Sequence, residues 1–539
     1  MLNFDPLYTP YPSARSTHYA QNGMVATSQP LAAQAGLDIL KKGGNAIDAA
    51  IATAACLTVV EPTSNGIGGD AFALVWTNGK LHGLNSSGNS PASISIEKVQ
   101  ALGYKEMPKM GLVPITVPGA PGAWAELARR FGKLPLTASL APAISYAQNG
   151  YPISPTLGKY WGRAFAGYKA RCTGEEFVPW FETFAPGGHA PNIGDVWRSP
   201  GHAATLQEIA ETGAESFYRG NLAEKIAAFC QKHRGFLAAE DLSTFKPEWV
   251  TPISVNYRGY DVWEIPPNGQ GIVALIALNA IKGFDFAPSQ VHCADTYHKQ
   301  FEVMKLAFAC GKEVVTDPAY MNIPVKDLLS DSFAQELRSK VTGTATEPVA
   351  YMTPKSGTVY LATADGQGNM VSFIQSNYMG FGSGIVIPGT GIGLQNRGAD
   401  FSLDPSHANA LAGGKKTYHT IIPGFLTKDN TPIGPFGVMG GYMQPQGHMQ
   451  VIMNTLDFNM NPQMALDAPR WQWTSGKAFD IESHFPKHVA QELTRRGHNI
   501  TMRLDSGGFG RGQIIWRNTT TGVLMGGTES RTDGNISSW

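Results

Sequence analysis

Cysteine is scarce in this chain and long apolar runs are missing. The 539 residues include five cysteines, widely spaced and without a CxxC pair, which disfavours both a zinc site and a disulfide framework. No stretch reaches about 18 uncharged apolar residues, so we expect no transmembrane helix. The N-terminus has neither the basic start nor the apolar core of a signal peptide. Together these absences predict a cytoplasmic protein.

Charge of either sign is also sparse. Charged residues make up 16% of the chain, and 42 basic residues balance 42 acidic ones, so the formal net charge is zero. That balance favours neither nucleic acid nor an anionic membrane surface as a partner. The hydrophobic share of 42% is typical of a compact globular protein with a large core.

The order of the predicted elements indicates a layered fold of the α+β class. Helices are predicted at 31–42 and at about 45–60, and the second is apolar all round, so it should be buried. An apolar strand at 71–76 follows, and the segment 120–340 is predicted to be mostly helical. Helices that precede strands suit α+β layers better than repeated βαβ units. The later strands are predicted at 385–387, 421–426, 438–441 and 514–516.

The segment from Gly357 to Gln375 gives the strongest chemical signal. Two strand-like runs flank the turn Asp365-Gly366-Gln367-Gly368, a pattern that predicts a β-hairpin. Thr358 begins the first run. Cleavage before Thr358 would free its own α-amine, which can then act as the base for its hydroxyl. Most threonines that begin strands are ordinary β-formers, so this hypothesis depends on the rest of the chain.

Other catalytic motifs fail in their surroundings. The glycines of 66–70 follow a helix and precede a strand, the reverse of a dinucleotide fingerprint. Ser383 lacks the two glycines of a serine-hydrolase elbow. The histidines form no HExxH motif, and only His419, in a polar turn before a strand, stays as a candidate, with a structural role equally open. Gly440-Gly441 follows an apolar strand and would offer backbone N–H groups to a reacting carbonyl, or form an ordinary turn.

Several segments together resemble the γ-glutamyltranspeptidase family of N-terminal-nucleophile hydrolases. The resemblance implies a four-layer αββα sandwich made as one precursor, which cuts itself between Gly357 and Thr358. A large subunit, 1–357, and a small subunit, 358–539, would stay together as one folded unit. The likeness covers nearly the whole chain in order and is carried by residues 43–50, 61–62, 66–70, 117–122, 266–271, 357–375, 400–402, 440–441 and 468–470.

The resemblance also implies roles for individual residues. Thr358 would be the nucleophile, and Ser376 the second hydroxyl that hydrogen-bonds to it. Gly440 and Gly441 would form the oxyanion hole, and Asp400 would hold the α-ammonium group of a γ-glutamyl donor. No metal or organic cofactor is implied. The implied partners are a small amide substrate and the two subunits of the chain's own precursor, with a higher oligomer left open.

The donor pocket departs from the family pattern. γ-Glutamyl enzymes bind the donor's α-carboxylate with an arginine, but Ser87 stands at that position, and losing such a charged contact would cost about 2–5 kcal/mol. Residues 266–271 and 418–425 are most similar to a cytosolic branch that includes cephalosporin acylases and oxamate amidohydrolases. In that branch an arginine is usual where this chain has Asn89. The candidate substrate-binding residues are Asp400, Tyr378, Asn377, His419, Thr420, Ser87 and Asn89.

Three functions follow as hypotheses. The first is a self-processing threonine amidohydrolase that cleaves a γ-glutamyl-type amide through an acyl-enzyme, with hydrolysis favoured over transfer; Asp400 supports it. The second is an amidase for a small carboxylate amide or a glutaryl side chain, supported by the missing arginine and by Tyr378 and His419. The third is an unprocessed, inactive binding protein, against which Thr358 and Ser376 argue.

Overall fold

Two antiparallel sheets stack face to face at the centre of the molecule. The computed structural model describes residues 15–348 and 357–539. The strands are β1 (His18–Ala20), β2 (Gly23–Thr27), β3 (Asp70–Thr77), β4 (Lys80–Ser86), β5 (Tyr151–Pro152), β6 (Val196–Trp197), β7 (Glu248–Val250), β8 (Ile253–Tyr257), β9 (Tyr260–Glu264), β10 (Gly357–Asp365), β11 (Met370–Tyr378), β12 (Gly424–Lys428), β13 (Thr431–Met439), β14 (Trp471–Ser475), β15 (Ala478–Glu482), β16 (Asn499–Arg503), β17 (Arg511–Arg517), β18 (Leu524–Thr528) and β19 (Asn535–Ser538).

The first sheet has the strand order β19-β2-β10-β11-β3-β4-β7 and the second the order β1-β18-β17-β13-β12-β9-β8. Strands β14, β15 and β16 form a small separate sheet, and β5 pairs with β6. The α-helices are α1 (Pro30–Lys41), α2 (Ala46–Val60), α3 (Ile96–Ala101), α4 (Ala120–Phe131), α5 (Leu136–Asn149), α6 (Pro155–Arg171), α7 (Val178–Phe184), α8 (Pro200–Thr212), α9 (Glu215–Arg219), α10 (Asn221–Lys232), α11 (Ala239–Thr244), α12 (Gly271–Ile281), α13 (Ala294–Val314), α14 (Val325–Leu328), α15 (Asp331–Ser339), α16 (Met443–Leu456), α17 (Pro462–Asp467) and α18 (Lys487–Arg495).

Helices cover the outer face of each sheet. Helices α1 and α2 pack on the first sheet, and α12, α16 and α17 pack on the second. The inner faces meet through a buried apolar layer to which Phe72, Tyr360, Ile374 and Phe425 belong. The result is the four-layer αββα sandwich, so the expected fold is confirmed.

Helix α2 forms where the sequence predicts it because its start is strongly capped. The Asn45 side chain accepts hydrogen bonds from the N–H groups of Ile47 and Asp48, each at 3.0 Å. The Asp48 carboxylate accepts the N–H of Asn45 at 2.9 Å, which completes a capping box. Every residue of the helix is buried, as its all-round apolar pattern predicts.

The predicted strand at 385–387 is wrong. This segment makes one isolated bridge, between Val386 and Gly393, and belongs to no named strand. Gly380, Gly382 and Gly384 have φ values of 56°, 85° and 82°. Those left-handed conformations turn the chain at every second residue, which prevents extended pairing.

The two sheets interleave strands from the parts of the chain before and after Thr358. In the first sheet β10 and β11 lie between β2 and β3, and in the second sheet the run from β18 to β12 lies between β1 and β9. Each part therefore completes the sheets of the other, and neither can bury its apolar surface alone.

All five cysteines are free thiols. Within 15–348 and 357–539, no helix combines the length and the apolar character that a membrane crossing needs.

Asp365 joins the β10–β11 turn to helix α2, and we expect its removal to destabilise the fold. Its carboxylate accepts the N–H groups of Gln367 and Asn369 at 2.9 and 3.0 Å and the N–H of Ala46 at 3.0 Å. Asp365→Ala leaves these donors without an acceptor, so stability should fall by about 1–3 kcal/mol. Thermal unfolding measures this, with the exposed Asp285→Ala as control. Equal midpoints for both variants would contradict the assignment.

Candidate active site

A β-bulge lies opposite Thr358. In the pairing of β10 with β11, Gly357 faces Tyr378 while Val359 faces Gln375. Two residues, Ser376 and Asn377, therefore stand against Thr358 alone. The regular register of the two strands already places Ser376 opposite Thr358, so their side chains share one face, and the extra residue moves Tyr378 to the position opposite Gly357.

Ser376 connects the threonine hydroxyl with the carbonyl that precedes it. Its Oγ lies 3.0 Å from Thr358 Oγ1 and donates to the carbonyl oxygen of Gly357 at 2.7 Å. The N–H of Tyr378 donates to the same Oγ at 2.8 Å. A hydroxyl has one hydrogen to donate, so Thr358 is the donor to Ser376. Ser376 thus polarises the Gly357 carbonyl and orients the nucleophile predicted at Thr358.

Gly440 and Gly441 follow β13 on the facing sheet. Their φ values are 140° and 61°, and a Cβ on Gly440 would lie 3.0 Å from Cα of Gly510. Only glycine suits this backbone path. Gln270 fixes the pair by donating to the Gly441 carbonyl at 2.8 Å. No acceptor for the two N–H groups occurs in the described part of the chain, so both are free to bind an oxyanion.

Asp400 is already surrounded by partners from the chain itself. Its Oδ1 accepts the hydroxyls of Tyr378 at 2.6 Å and Tyr442 at 2.9 Å. Its Oδ2 lies 3.5 Å from Nη1 of Arg397. Burial, followed by the Asp400 charge, raises the pKa of both tyrosines well above the usual value, so both hydroxyls keep their protons and donate.

Two cations that the sequence did not single out border this carboxylate. The Arg397 side chain is 1% exposed, donates to Thr420 Oγ1 at 2.7 Å, and lies 4.2 Å from the centre of the Tyr378 ring. The Lys312 ammonium hydrogen-bonds the Tyr442 hydroxyl, and burial lowers the pKa of Lys312 to about 8. The spacing of Arg397 and Asp400, three residues apart on one short helical turn, was the available signal for the arginine.

His419 forms a fully buried pair with Asp70. Its Nδ1 accepts the N–H of Ile421 at 3.3 Å, so Nε2 carries the proton and donates to Asp70 Oδ2 at 3.0 Å. Burial lowers the pKa of His419 well below its ordinary value and raises the pKa of Asp70 to about 7. The pair holds the turn before β12 against β3, where Asp70 is the Cα partner of Ser376.

The remaining predicted pocket residues, Ser87, Asn377 and Asn89, differ in burial. Ser87 is buried, donates to Asn85 Oδ1 at 2.8 Å and accepts from Asn268 Nδ2 at 3.3 Å, so it offers no charged contact. Asn377 is buried beneath the turn that contains Gly66. Asn89 is exposed. The structure therefore collects Thr358, Ser376, Tyr378, Asp400 and Thr420, and leaves Asn89 at the surface.

One group of three metal-capable side chains lies together in the described ranges. His298 Nδ1 is 2.9 Å from His498 Nε2, and Glu302 Oε1 is 3.8 Å from the same nitrogen. The ammonium of the fully buried Lys305 lies 2.5 Å from Glu302 Oε1. Because this lysine already neutralises the carboxylate, the group is suited to joining α13 to His498, the residue before β16.

Asp70 should make stability depend on pH. Its pKa is raised in the folded state, so its favourable contribution is complete below about pH 4 and is lost as the pH rises toward about 7. Asp70→Asn stays neutral, so we expect its thermal midpoint to rise relative to wild type between pH 5 and pH 8. The exposed Asp285→Asn should show a constant difference from wild type. A constant difference for Asp70→Asn as well would contradict the shifted pKa.

Comparison with known proteins gives the family. The sequence profile described as Gamma-glutamyltranspeptidase matches residues 32–539. The chain is 36% identical to the glutathione hydrolase-like YwrD proenzyme of Bacillus subtilis, over 95% of this chain and 97% of that protein. It is 32% identical to the oxamate amidohydrolase proenzyme of Klebsiella pneumoniae, over 96% and 99%. The crystal structure of cephalosporin acylase from Bacillus halodurans is 66% identical, with a TM-score of 0.97, over 100% of this chain and 99% of that one. The chain therefore belongs to the γ-glutamyltranspeptidase family of N-terminal-nucleophile amidohydrolases.

Proposed function

We propose that this chain cuts itself between Gly357 and Thr358 and then uses Thr358 as an N-terminal nucleophile to cleave an amide. The observation that carries the proposal is the hydrogen-bonded series from the Thr358 hydroxyl through Ser376 to the Gly357 carbonyl. The large subunit, 1–357, and the small subunit, 358–539, stay together because their strands alternate in both sheets.

Self-cleavage uses the atoms already in contact. Thr358 Oγ1 attacks the Gly357 carbonyl carbon, and the negative charge that develops on the oxygen is met by the Ser376 hydroxyl. The bond from that carbon to the Thr358 nitrogen breaks, the nitrogen takes the proton that the attacking hydroxyl gives up, and an ester remains. Water then hydrolyses the ester, leaving a carboxylate on Gly357 and a free α-amine on Thr358.

Turnover repeats this chemistry on a substrate. The Thr358 hydroxyl attacks the amide carbonyl while the α-amine accepts its proton. The α-amine then gives this proton to the leaving amine. Gly440 and Gly441 supply the N–H donors for the oxyanion. Water resolves the acyl-enzyme. Thr358 and Ser376 are both buried, which favours the smallest acceptor over a larger amine.

The acyl group that fits best has a carboxylate and no α-ammonium. In the γ-glutamyl hypothesis Asp400 must hold that ammonium. Its Oδ1 is taken by two tyrosine hydroxyls, and its Oδ2, which has no hydrogen-bond partner within the described ranges, lies 3.5 Å from the Arg397 guanidinium. A substrate ammonium would be a third cation beside this carboxylate, after Arg397 and Lys312, so one negative charge would have to compensate three positive ones. The likeness to a cephalosporin acylase and an oxamate amidohydrolase supports a glutaryl or similar small carboxylate amide.

Mass spectrometry of the purified protein tests self-cleavage. We expect wild type to yield two fragments that meet at Gly357 and Thr358, and Thr358→Ala to stay whole. Ser376→Ala should cut about 100- to 1000-fold more slowly, because one donor to the developing oxyanion is lost. Ser372→Ala is the matched control, since this buried serine of the same strand bonds the Tyr360 hydroxyl.

A wild-type chain that stays whole and hydrolyses no amide would refute the proposal and support the inactive binding protein instead.

The acyl preference is tested with two p-nitroanilides that differ only in the α-amino group. We expect kcat/KM for glutaryl-p-nitroanilide to exceed that for γ-glutamyl-p-nitroanilide by at least about tenfold, because the ammonium would have to share the Asp400 carboxylate with Arg397 and Lys312. Added glycylglycine should not raise the rate of p-nitroaniline release. A preference for the γ-glutamyl compound would return Asp400 to the role of ammonium receptor, and acceleration by glycylglycine would identify a transferase.

A further inference from the structure

The position where the family keeps its carboxylate-binding arginine offers no charge in this chain. Ser87 is committed to Asn85 and Asn268, and Asn89 is exposed. A buried carboxylate needs charge-assisted hydrogen bonds, so a donor of that kind has to come from another element.

Arg397 has an unused bidentate edge. Its Nη1 is occupied by Thr420 and by the more distant Asp400. Its Nε and Nη2 are buried and have no acceptor within residues 15–348 and 357–539. Buried N–H donors without partners are costly, so this edge lacks its natural acceptor. The Nε and Nη2 hydrogens point side by side, which is the geometry that a carboxylate matches with its two oxygens.

Packing and hydrogen bonds link the Arg397 guanidinium to the nucleophile on one side and to the oxyanion glycines on the other. The guanidinium stacks on Tyr378, whose Cα partner is Gly357, the residue before the nucleophile. Its partner Thr420 is bonded through its carbonyl to Gln270 at 2.6 Å, and Gln270 also holds Gly441. One residue, Tyr378, separates the guanidinium from Gly357. Two residues, Thr420 and Gln270, separate it from Gly441.

The local charge also favours an anion. Arg397 and Lys312 are two cations around the single carboxylate of Asp400. His419 is neutral because burial lowers its pKa. Burial raises the pKa of Asp70 to about 7, against the lowering effect of the Arg397 charge, so Asp70 is only partly ionised near neutral pH. The surplus of positive charge is compensated when a monoanionic acyl group enters.

We propose that Arg397 is the receptor for the carboxylate of the acyl donor, which it binds side-on through Nε and Nη2. This assignment rests on the proposed function, since it names the group that recognises the carboxylate amide. The edge is covered in the uncut chain.

The test compares glutaryl-p-nitroanilide with butyryl-p-nitroanilide, which has a hydrogen in place of the carboxylate. We expect Arg397→Gln to lower the glutaryl-to-butyryl ratio of kcat/KM at least about 30-fold. Arg397→Lys keeps the charge but loses the fork, so it should also lower the ratio. Arg258→Gln is the matched control, because this arginine of the β8–β9 turn bonds Asp457 and two backbone carbonyls, and it should keep the wild-type ratio.

Direct binding gives a second readout that needs no turnover. Glutarate should raise the thermal midpoint of processed wild type and of Arg258→Gln, but not of Arg397→Gln. An unchanged substrate ratio together with wild-type stabilisation by glutarate in Arg397→Gln would overturn the receptor. If Arg397→Gln does not fold or process, an unchanged ratio in Arg397→Lys overturns it. Absence of all amidase activity in processed wild type would instead refute the proposed function. The change in thermal midpoint with glutarate would still show whether Arg397 binds a carboxylate.

Discussion

The site depends on one irregularity in an otherwise regular ladder, the bulge opposite Thr358. A continuous register would still place Ser376 opposite Thr358, but it would place Asn377, and not Tyr378, opposite Gly357. With one extra residue in β11, Ser376 accepts from Thr358 and Tyr378 and donates to Gly357. The same extra residue brings Tyr378 opposite Gly357, where its hydroxyl reaches Asp400. Catalytic alignment and the donor pocket therefore share a single backbone defect.

The sequence predicted the framework well because the framework depends on local patterns. The apolar run with Asn45 as its cap predicts α2, and the turn around Asp365 predicts the β10–β11 hairpin. Local patterns gave a wrong strand prediction where several glycines with positive φ values follow one another. The apolar residues 385–387 resemble a strand, but the alternating left-handed glycines before them fix a path that no hydrophobic pattern records.

The donor pocket was less accessible to sequence reasoning, since it is built by side chains from distant elements. From the sequence, Asp400 was predicted to be a carboxylate open to a substrate ammonium. No residue was predicted to bind the substrate carboxylate, because Ser87 carries no charge. In the structure the Asp400 carboxylate is surrounded by Tyr378, Tyr442 and Arg397. Arg397 lies on a different element from Ser87. The roles of Thr358, Ser376 and the glycine pair came from resemblance to a family. The partner relationships of Arg397 required coordinates, because only packing reveals which donors stay unpaired.

Because the sheets are interleaved, one continuous chain assembles this fold far more readily than two separate subunits would. In the uncut chain the backbone connects the residues before and after Thr358. The two parts therefore meet at a high effective concentration, and the sheets assemble in an intramolecular reaction. Once the backbone is cut, the same sheets can be rebuilt only by two molecules that must find each other, each with apolar strands exposed. The cut protein thus inherits an arrangement that it could not readily reach again, and its persistence becomes a matter of unfolding rate and not of equilibrium.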